Sequence, residues 1–234
     1  MNFASRLQGV FFSPQPTFKA ISEKPVWVDA LVVILILAAI FSYLIAPYAD
    51  QDALKLLKDN VKFKERMKDR YDSYIKNLEN PSLASILLRN VLLSLVGLVI
   101  GLLIAGLVLL IMGRLTSTEG NFVLVFSALI HANFIDKILG GAVRLLLAFV
   151  RKSVIQTSTS LALVVPKAEL TSTAFILLSQ IDFFQLWMFG ILGYGLSSVF
   201  KISVKKGMIL SYSFWLLKSL LAVALGFLGR SMLG

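Results

Sequence analysis

Apolar and polar positions fall along this chain in long blocks. Five stretches are almost continuously apolar: 26–48, 82–112, 121–150, 175–200 and 207–229. Each exceeds the ~20 residues a helix needs to cross a ~30 Å hydrocarbon layer at ~1.5 Å per residue. They predict an all-α, polytopic membrane helix bundle with five transmembrane helices. Residues 1–25 show a different period. Phe3, Leu7, Val10 and Phe11 recur at helical spacing with Arg6 and Gln8 off that face. Ser13-Pro14-Gln15-Pro16 ends the helix, and Phe18 and Ile21 continue the apolar side. This predicts an interfacial amphipathic segment with Arg6, Lys19 and Lys24 reaching outward to the headgroups.

Residues 49–81 predict an extramembrane helical segment between the first two spans. Eight Lys or Arg and seven Asp or Glu lie in 50–79, and Val61, Met67, Tyr71, Tyr74 and Leu78 sit about a helical turn apart with gaps. Its plain reading is a solvated connector, its functional one a partner-binding or gating element. Asn80 then reads as a cap and Pro81 as the first residue of the next helix. The stretch 121–150 is apolar but interrupted by polar groups, so it is either one tilted span or a helix broken at Gly140-Gly141. A polar loop, 151–174, contains the apolar run Leu161 to Val165. The last two spans form the hairpin around which the chain is organised, Ser179 to Leu217, joined by a basic turn, Lys201 to Lys206.

Composition agrees with the blocks. The chain has 234 residues, 57% of them hydrophobic and 15% charged, with a mean hydropathy of +0.82. Soluble domains carry about a quarter charged residues. The net charge of +10 would suggest nucleic acid on a soluble protein. Here the basic residues flank spans and face the lipid bilayer, including anionic headgroups, and no nucleic acid is expected. There are no cysteines, which excludes disulfides, thiolate metal sites and cysteine nucleophiles. No cleavable leader is evident in residues 1–26, so the first span is expected to direct insertion.

Candidate chemistry lies in charges placed inside spans. A charge at mid-bilayer costs ~3 kcal/mol or more, so it faces the bundle interior or a partner. The candidates are His131, Asp136, Lys137 and Arg144 in the third stretch, Asp182 at the start of the hairpin, and Lys218 in the fifth span. One reading is a polar path for an ion, proton or lipid headgroup, with Lys218 paired to Asp182 or Asp136. The other is a structural ion pair with snorkelling ends. A lone histidine without cysteines leaves no metal cluster, and no hydrolase, metalloprotease or phosphate-loop motif occurs, so no catalytic residue, metal or cofactor is expected. Gly97, Gly101 and Ala105 form a small-residue ridge spaced by four, a candidate for helix packing within one chain or between two copies in a homo-oligomer.

Three blocks carry a family resemblance. VFFSPQPTFKAISEKPVWVDAL leads into the first span. GNFVLVFSALIHANFIDKILGG is an aromatic-rich third segment in which His131 stands where an aromatic is common. DFFQLWMFGILGYGL is followed by the basic turn and SFWLL. In this order the blocks resemble the Yip1 domain proteins in their prokaryotic form. The resemblance implies a five-span bundle in a prokaryotic plasma or inner membrane, with a cytoplasmic N-terminus. Strict Lys/Arg counting would instead put 50–79 in the cytoplasm. Eukaryotic relatives bind small GTPases and shape membranes. Their long acidic N-terminal region and Asp-Leu-Tyr-Gly-Pro type motif have no counterpart in these residues, so that role does not transfer. The expected function is a membrane-organising scaffold, or one that binds an unidentified membrane or cytosolic protein. The alternative is a transporter or channel for a small solute, ion or lipid.

Overall fold

The computed structural model describes residues 1–58, 60–155, 159–164 and 172–233, the stretch 230–233 as backbone only. Parts of the expected 151–174 loop, including Val165, lie outside the described residues. The helices are α1 (Phe3–Phe12), α2 (Pro14–Glu23), α3 (Val28–Leu57), α4 (Val61–Met67), α5 (Tyr71–Glu79), α6 (Leu83–Arg114), α7 (Phe122–Arg151), α8 (Thr173–Leu178), α9 (Phe183–Phe200) and α10 (Val204–Leu233). Five of them, α3, α6, α7, α9 and α10, are long and apolar enough to cross a membrane. The described residues contain no strand, only an isolated bridge between Ser160 and Asp182. The protein is an all-α polytopic helix bundle. Rows of large apolar side chains stand exposed on its helices, among them Val32, Ile36 and Ile40 on α3 and Ile100, Ile104 and Ile111 on α6. Water does not tolerate such surface on a folded protein, whereas lipid covers it.

Helix starts follow local chemistry. Asn2, Asn60, Ser82, Asn121 and Ser172 each accept a hydrogen bond from the backbone N–H three residues on, satisfying an otherwise orphaned donor. The cap of α6 is therefore Ser82, not Asn80. Asn80 instead ends α5, and Pro81 lies in the two-residue link.

The chain divides into two compact units: 1–37 with 96–141 and 183–219, and 38–95 with 142–182 and 220–234. In the first, α7 is the centre. Every residue from Val125 to Asp136 is buried, so this half of the helix is enclosed on all sides. The α1–α2 pair packs on it, and α2 packs on α9 as well. Val10, Phe18 and Ile21 are at most 2% exposed. Phe11 meets Trp187 edge-on at 6.1 Å, and Phe3 meets Phe134 at 5.9 Å. The N-terminal segment thus spends its apolar face on protein. Lys19 and Lys24 remain exposed as expected, but Arg6 points inward and is 5% exposed.

The third span does not break at Gly140-Gly141. It continues as helix through a π-helical turn, Phe134–Gly140. The glycine serves close packing instead, since a Cβ at Gly140 would lie 2.9 Å from Phe184 Cγ. The hairpin of α9 and α10 turns in three residues, 201–203, with Lys201 at φ +50°. Lys205 and Lys206, read as part of the turn, are already helical. At Gly207 the two backbones nearly touch, for a Cβ there would meet Gly193 O at 2.3 Å and Ser197 N at 2.9 Å. Gly97 and Gly101, by contrast, have no described atom from beyond the adjoining helix within 4 Å of where a Cβ would stand. The ridge expected to pack is open, and the close helix approach lies elsewhere.

In the second unit, α4 and α5 fold back on the end of α3. Tyr71, Ile75 and Leu78 are buried against Ala53, Leu54, Leu57, Phe63, Met67 and Tyr74, and Tyr71 Oη donates to Lys58 O. Here the apolar stretch expected at 175–200 is two helices, α8 and α9. The backbone between them bonds to the preceding loop: Ile181 O accepts from Leu161 N at 3.0 Å.

Candidate functional site

The intramembrane charges named from sequence resolve into separate clusters. In the first unit His131 is fully buried on α7. Its Nδ1 donates to Ser127 O at 2.8 Å, one turn back. Its Nε2 accepts from Arg6 Nε at 3.1 Å. Only the neutral Nδ1–H tautomer satisfies both bonds. The Arg6 guanidinium also pairs with Asp29, in the first turn of α3, and donates through Nη1 to Met1 O at 3.0 Å. One cation from α1 thus ties together the chain start, the first span and the third. The planar fork of arginine suits this, for it serves several acceptors at once.

Asp136 and Lys137 form an ion pair at 2.7 Å within the π turn of α7. On α10, Lys218 Nζ donates to Gln185 Oε1 on α9 and lies 5.6 Å from the centre of the Phe189 ring. An aspartate was expected there; among the described contacts the lysine meets an amide and an aromatic face. The ring offers its negative quadrupole face, which suits a cation held away from water.

Among the described residues, the second unit holds three buried carboxylates. Asp50, on α3, accepts from Arg89 Nη2 at 2.7 Å and Asn90 Nδ2 at 3.3 Å. Arg89 Nη1 reaches Asn77 Oδ1 at 2.7 Å. Two consecutive residues of α6 reach one carboxylate where the helix loosens into a π turn, Leu87–Leu92. Asp52 Oδ2 accepts from Ser153 Oγ at 2.8 Å and from the backbone of Val154 and Ile155 at 2.7 and 3.3 Å. Asp182 accepts from Arg144 Nη2 at 3.3 Å and from Thr159 Oγ1 at 2.5 Å. Of the sequence candidates, Arg144 and Asp182 are brought together across 38 positions, while Asp136 and Lys137 pair as chain neighbours.

Arg6, Asp29, Asp50 and Arg89 were not among the candidates. Arg6 had a signal: it stands three residues after Phe3 and four before Val10, on the flank of the buried stripe. Arg89 and Asn90 stand as polar residues near the start of a long apolar stretch, and nothing local pointed to Asp50. No group of three potential metal ligands occurs among the described residues.

A family model described as Yip1 domain matches residues 9–226, nearly the whole chain. The chain belongs to the Yip1 domain family. No curated protein and no solved structure matches it. The Yip1 match spans both the Arg6-bearing helix from Gly9 onward and the α9–α10 hairpin. Within this Yip1 chain the clusters do a common job. Apart from the adjacent Asp136–Lys137 pair, each joins segments distant in sequence through a charge that hydrocarbon would otherwise penalise. His131 does not have the geometry of a general base, since its Nε2 lone pair is taken by Arg6 and its other partner is a carbonyl.

Proposed function

We propose that this Yip1 protein is a non-catalytic membrane-organising or partner-binding scaffold. Its N-terminus lies in the cytoplasm and its spans in a prokaryotic plasma or inner membrane. The observation carrying the reading is the state of its buried charges. Arg6, Asp50, Asp52, Asp136 and Asp182 are each held by groups of the chain itself, as expected of locks that fix helix positions rather than of a series of relay sites. The open positions of Gly97 and Gly101, on the ridge that continues to Ala105, support the further reading that a second copy or another membrane helix packs on α6.

A transport role is the second reading. It is favoured by Trp215 Nε1 and Ser219 Oγ on α10, which are buried with no hydrogen-bond partner among the described residues and flank Lys218 in sequence. Flux of ions and lipids after reconstitution into liposomes separates the two. A scaffold gives no flux, and Lys218→Met leaves its partner binding intact. Flux abolished by Lys218→Met in a folded protein would replace the scaffold by a transporter. A stoichiometric partner that copurifies and is lost on deleting 50–79 supports the scaffold. A reporter fused after Asp69 that is active only in the cytoplasm would reverse the orientation.

A further inference from the structure

We propose that the outer face of α4 and the turn after it, Lys62 to Arg70, is a docking surface for anionic phospholipid headgroups of the bilayer that the chain itself spans. This rests on the five spans, not on the scaffold reading. In sequence, 50–79 looks nearly charge-balanced, with eight basic and seven acidic residues. The fold removes that balance. Asp50 and Asp52 are 4% and 5% exposed and engaged by Arg89 and by the 153–155 backbone. All eight basic residues remain exposed. The imbalance is greatest at Lys62, Lys64, Arg66, Lys68 and Arg70, which share the stretch 62–70 with Glu65 and Asp69 alone among acids. Lys68 sits at φ +48° and ends α4 in a sharp bend, so the five cations lie on one short lobe, this helix and the turn after it. Val61 beside them is 68% exposed, and Leu56 is 51% exposed. Apolar side chains standing among cations are the pattern of interfacial segments.

Position decides the occupant. The lobe is packed onto the last turns of α3, and α5 leads directly back to α6. Both tethers are spanning helices, so the lobe is held near the headgroups. There a cluster of basic residues senses the surface potential of anionic lipid over a Debye length of ~8 Å. A soluble acidic protein or a nucleic acid would have to compete with a surface already present.

The test uses the full chain with Val61→Cys, which is a unique labelling site because the protein has no cysteine. Labelled protein is placed in nanodiscs of phosphatidylcholine alone and of equal phosphatidylcholine and phosphatidylglycerol, and access of a soluble quencher to the dye is read. With a net excess of three positive charges on the lobe, the docked-to-undocked ratio should rise by on the order of a hundred-fold in the anionic discs at low salt. The rise should vanish at high salt. The variant Lys62→Gln/Arg66→Gln/Lys68→Gln/Arg70→Gln, which keeps Lys64 over the Tyr71 ring at 5.5 Å, should lose the rise. Glu65→Gln/Asp69→Asn should enlarge it. Equal quenching in the two discs would overturn the proposal, as would a rise that the four-residue variant retains. Shielding that appears only on adding a soluble polyanion would overturn it in favour of a soluble partner.

Discussion

Arg6→Met separates the buried arginine of the structure from the outward-reaching one that the amphipathic pattern suggests. The substitution keeps most of the side-chain length, so it opens little cavity. It removes the partner of His131 Nε2, a fully buried acceptor, which costs ~1–3 kcal/mol when left unsatisfied. It also removes the Asp29 pair, but the Asp29 side chain is 42% exposed and returns to water, so that part contributes ~0–1 kcal/mol. The expected loss is about 2 kcal/mol, or roughly 30-fold in the folded-to-unfolded ratio. Lys19→Met, on the exposed side of α2, is the control and should stay within ~0.5 kcal/mol of the parent. The assay is equilibrium unfolding of the full chain in mixed micelles with rising denaturing detergent. Adding His131→Phe should cost less in the Arg6→Met background than in the parent, because the acceptor has already lost its donor. If Arg6→Met and Lys19→Met unfold alike, the arginine is not a lock and α1 lies on the membrane rather than on the bundle.

Four further outcomes are expected. Gly207→Ala should cost about 3 kcal/mol or more in the same unfolding assay, since the new Cβ meets the backbone of Gly193 and Ser197. Gly97→Leu and Gly101→Leu should leave the monomer's stability unchanged and, if a copy packs there, reduce crosslinking between chains. Asp52→Ala should leave the Val154 and Ile155 amides unsatisfied, so tryptic cleavage after Arg151 or Lys152 should quicken several-fold, with Asp52→Asn between it and the parent; an unchanged rate would refute the tether. Asp182→Ala should speed hydrogen exchange at Leu161, whose N–H bonds to Ile181 O. Arg144→Met should do so less, because Arg144 is 28% exposed and Thr159 would still hold the carboxylate.

The two π turns show how much of the candidate site was legible. Asp136 and Lys137, or Arg89 and Asn90, are visible as polar residues in apolar stretches. Sequence spacing assumes 3.6 residues per turn, so it cannot say which neighbour they reach once the helix locally widens. His131 was marked by being polar in an apolar run, but its donor comes from 125 residues earlier. Arg144 and Asp182 were both suspected, though not as each other's partner. That pairing depends on the break between α8 and α9, where a hydrophobic count sees one continuous stretch.

Sequence alone determined the solvent. Long apolar blocks can satisfy their backbone only as helices inside lipid, so five spans, the break at Pro14 and the helical reading of the charged segment follow from composition and period. It determined the family through motif order along most of the chain. Only the tertiary structure decided which faces those helices share. It turned Arg6 inward, opened the Gly97 ridge while closing the backbones at Gly207, and buried Asp50 and Asp52 so that a nearly balanced segment presents a basic surface. These outcomes depend on contacts between residues tens to more than a hundred positions apart, and hydrophobic period along one helix carries no information about its neighbour. The hairpin of α9 and α10 therefore keeps its part in the family likeness, while the enclosed first half of α7 is what the first unit is built around.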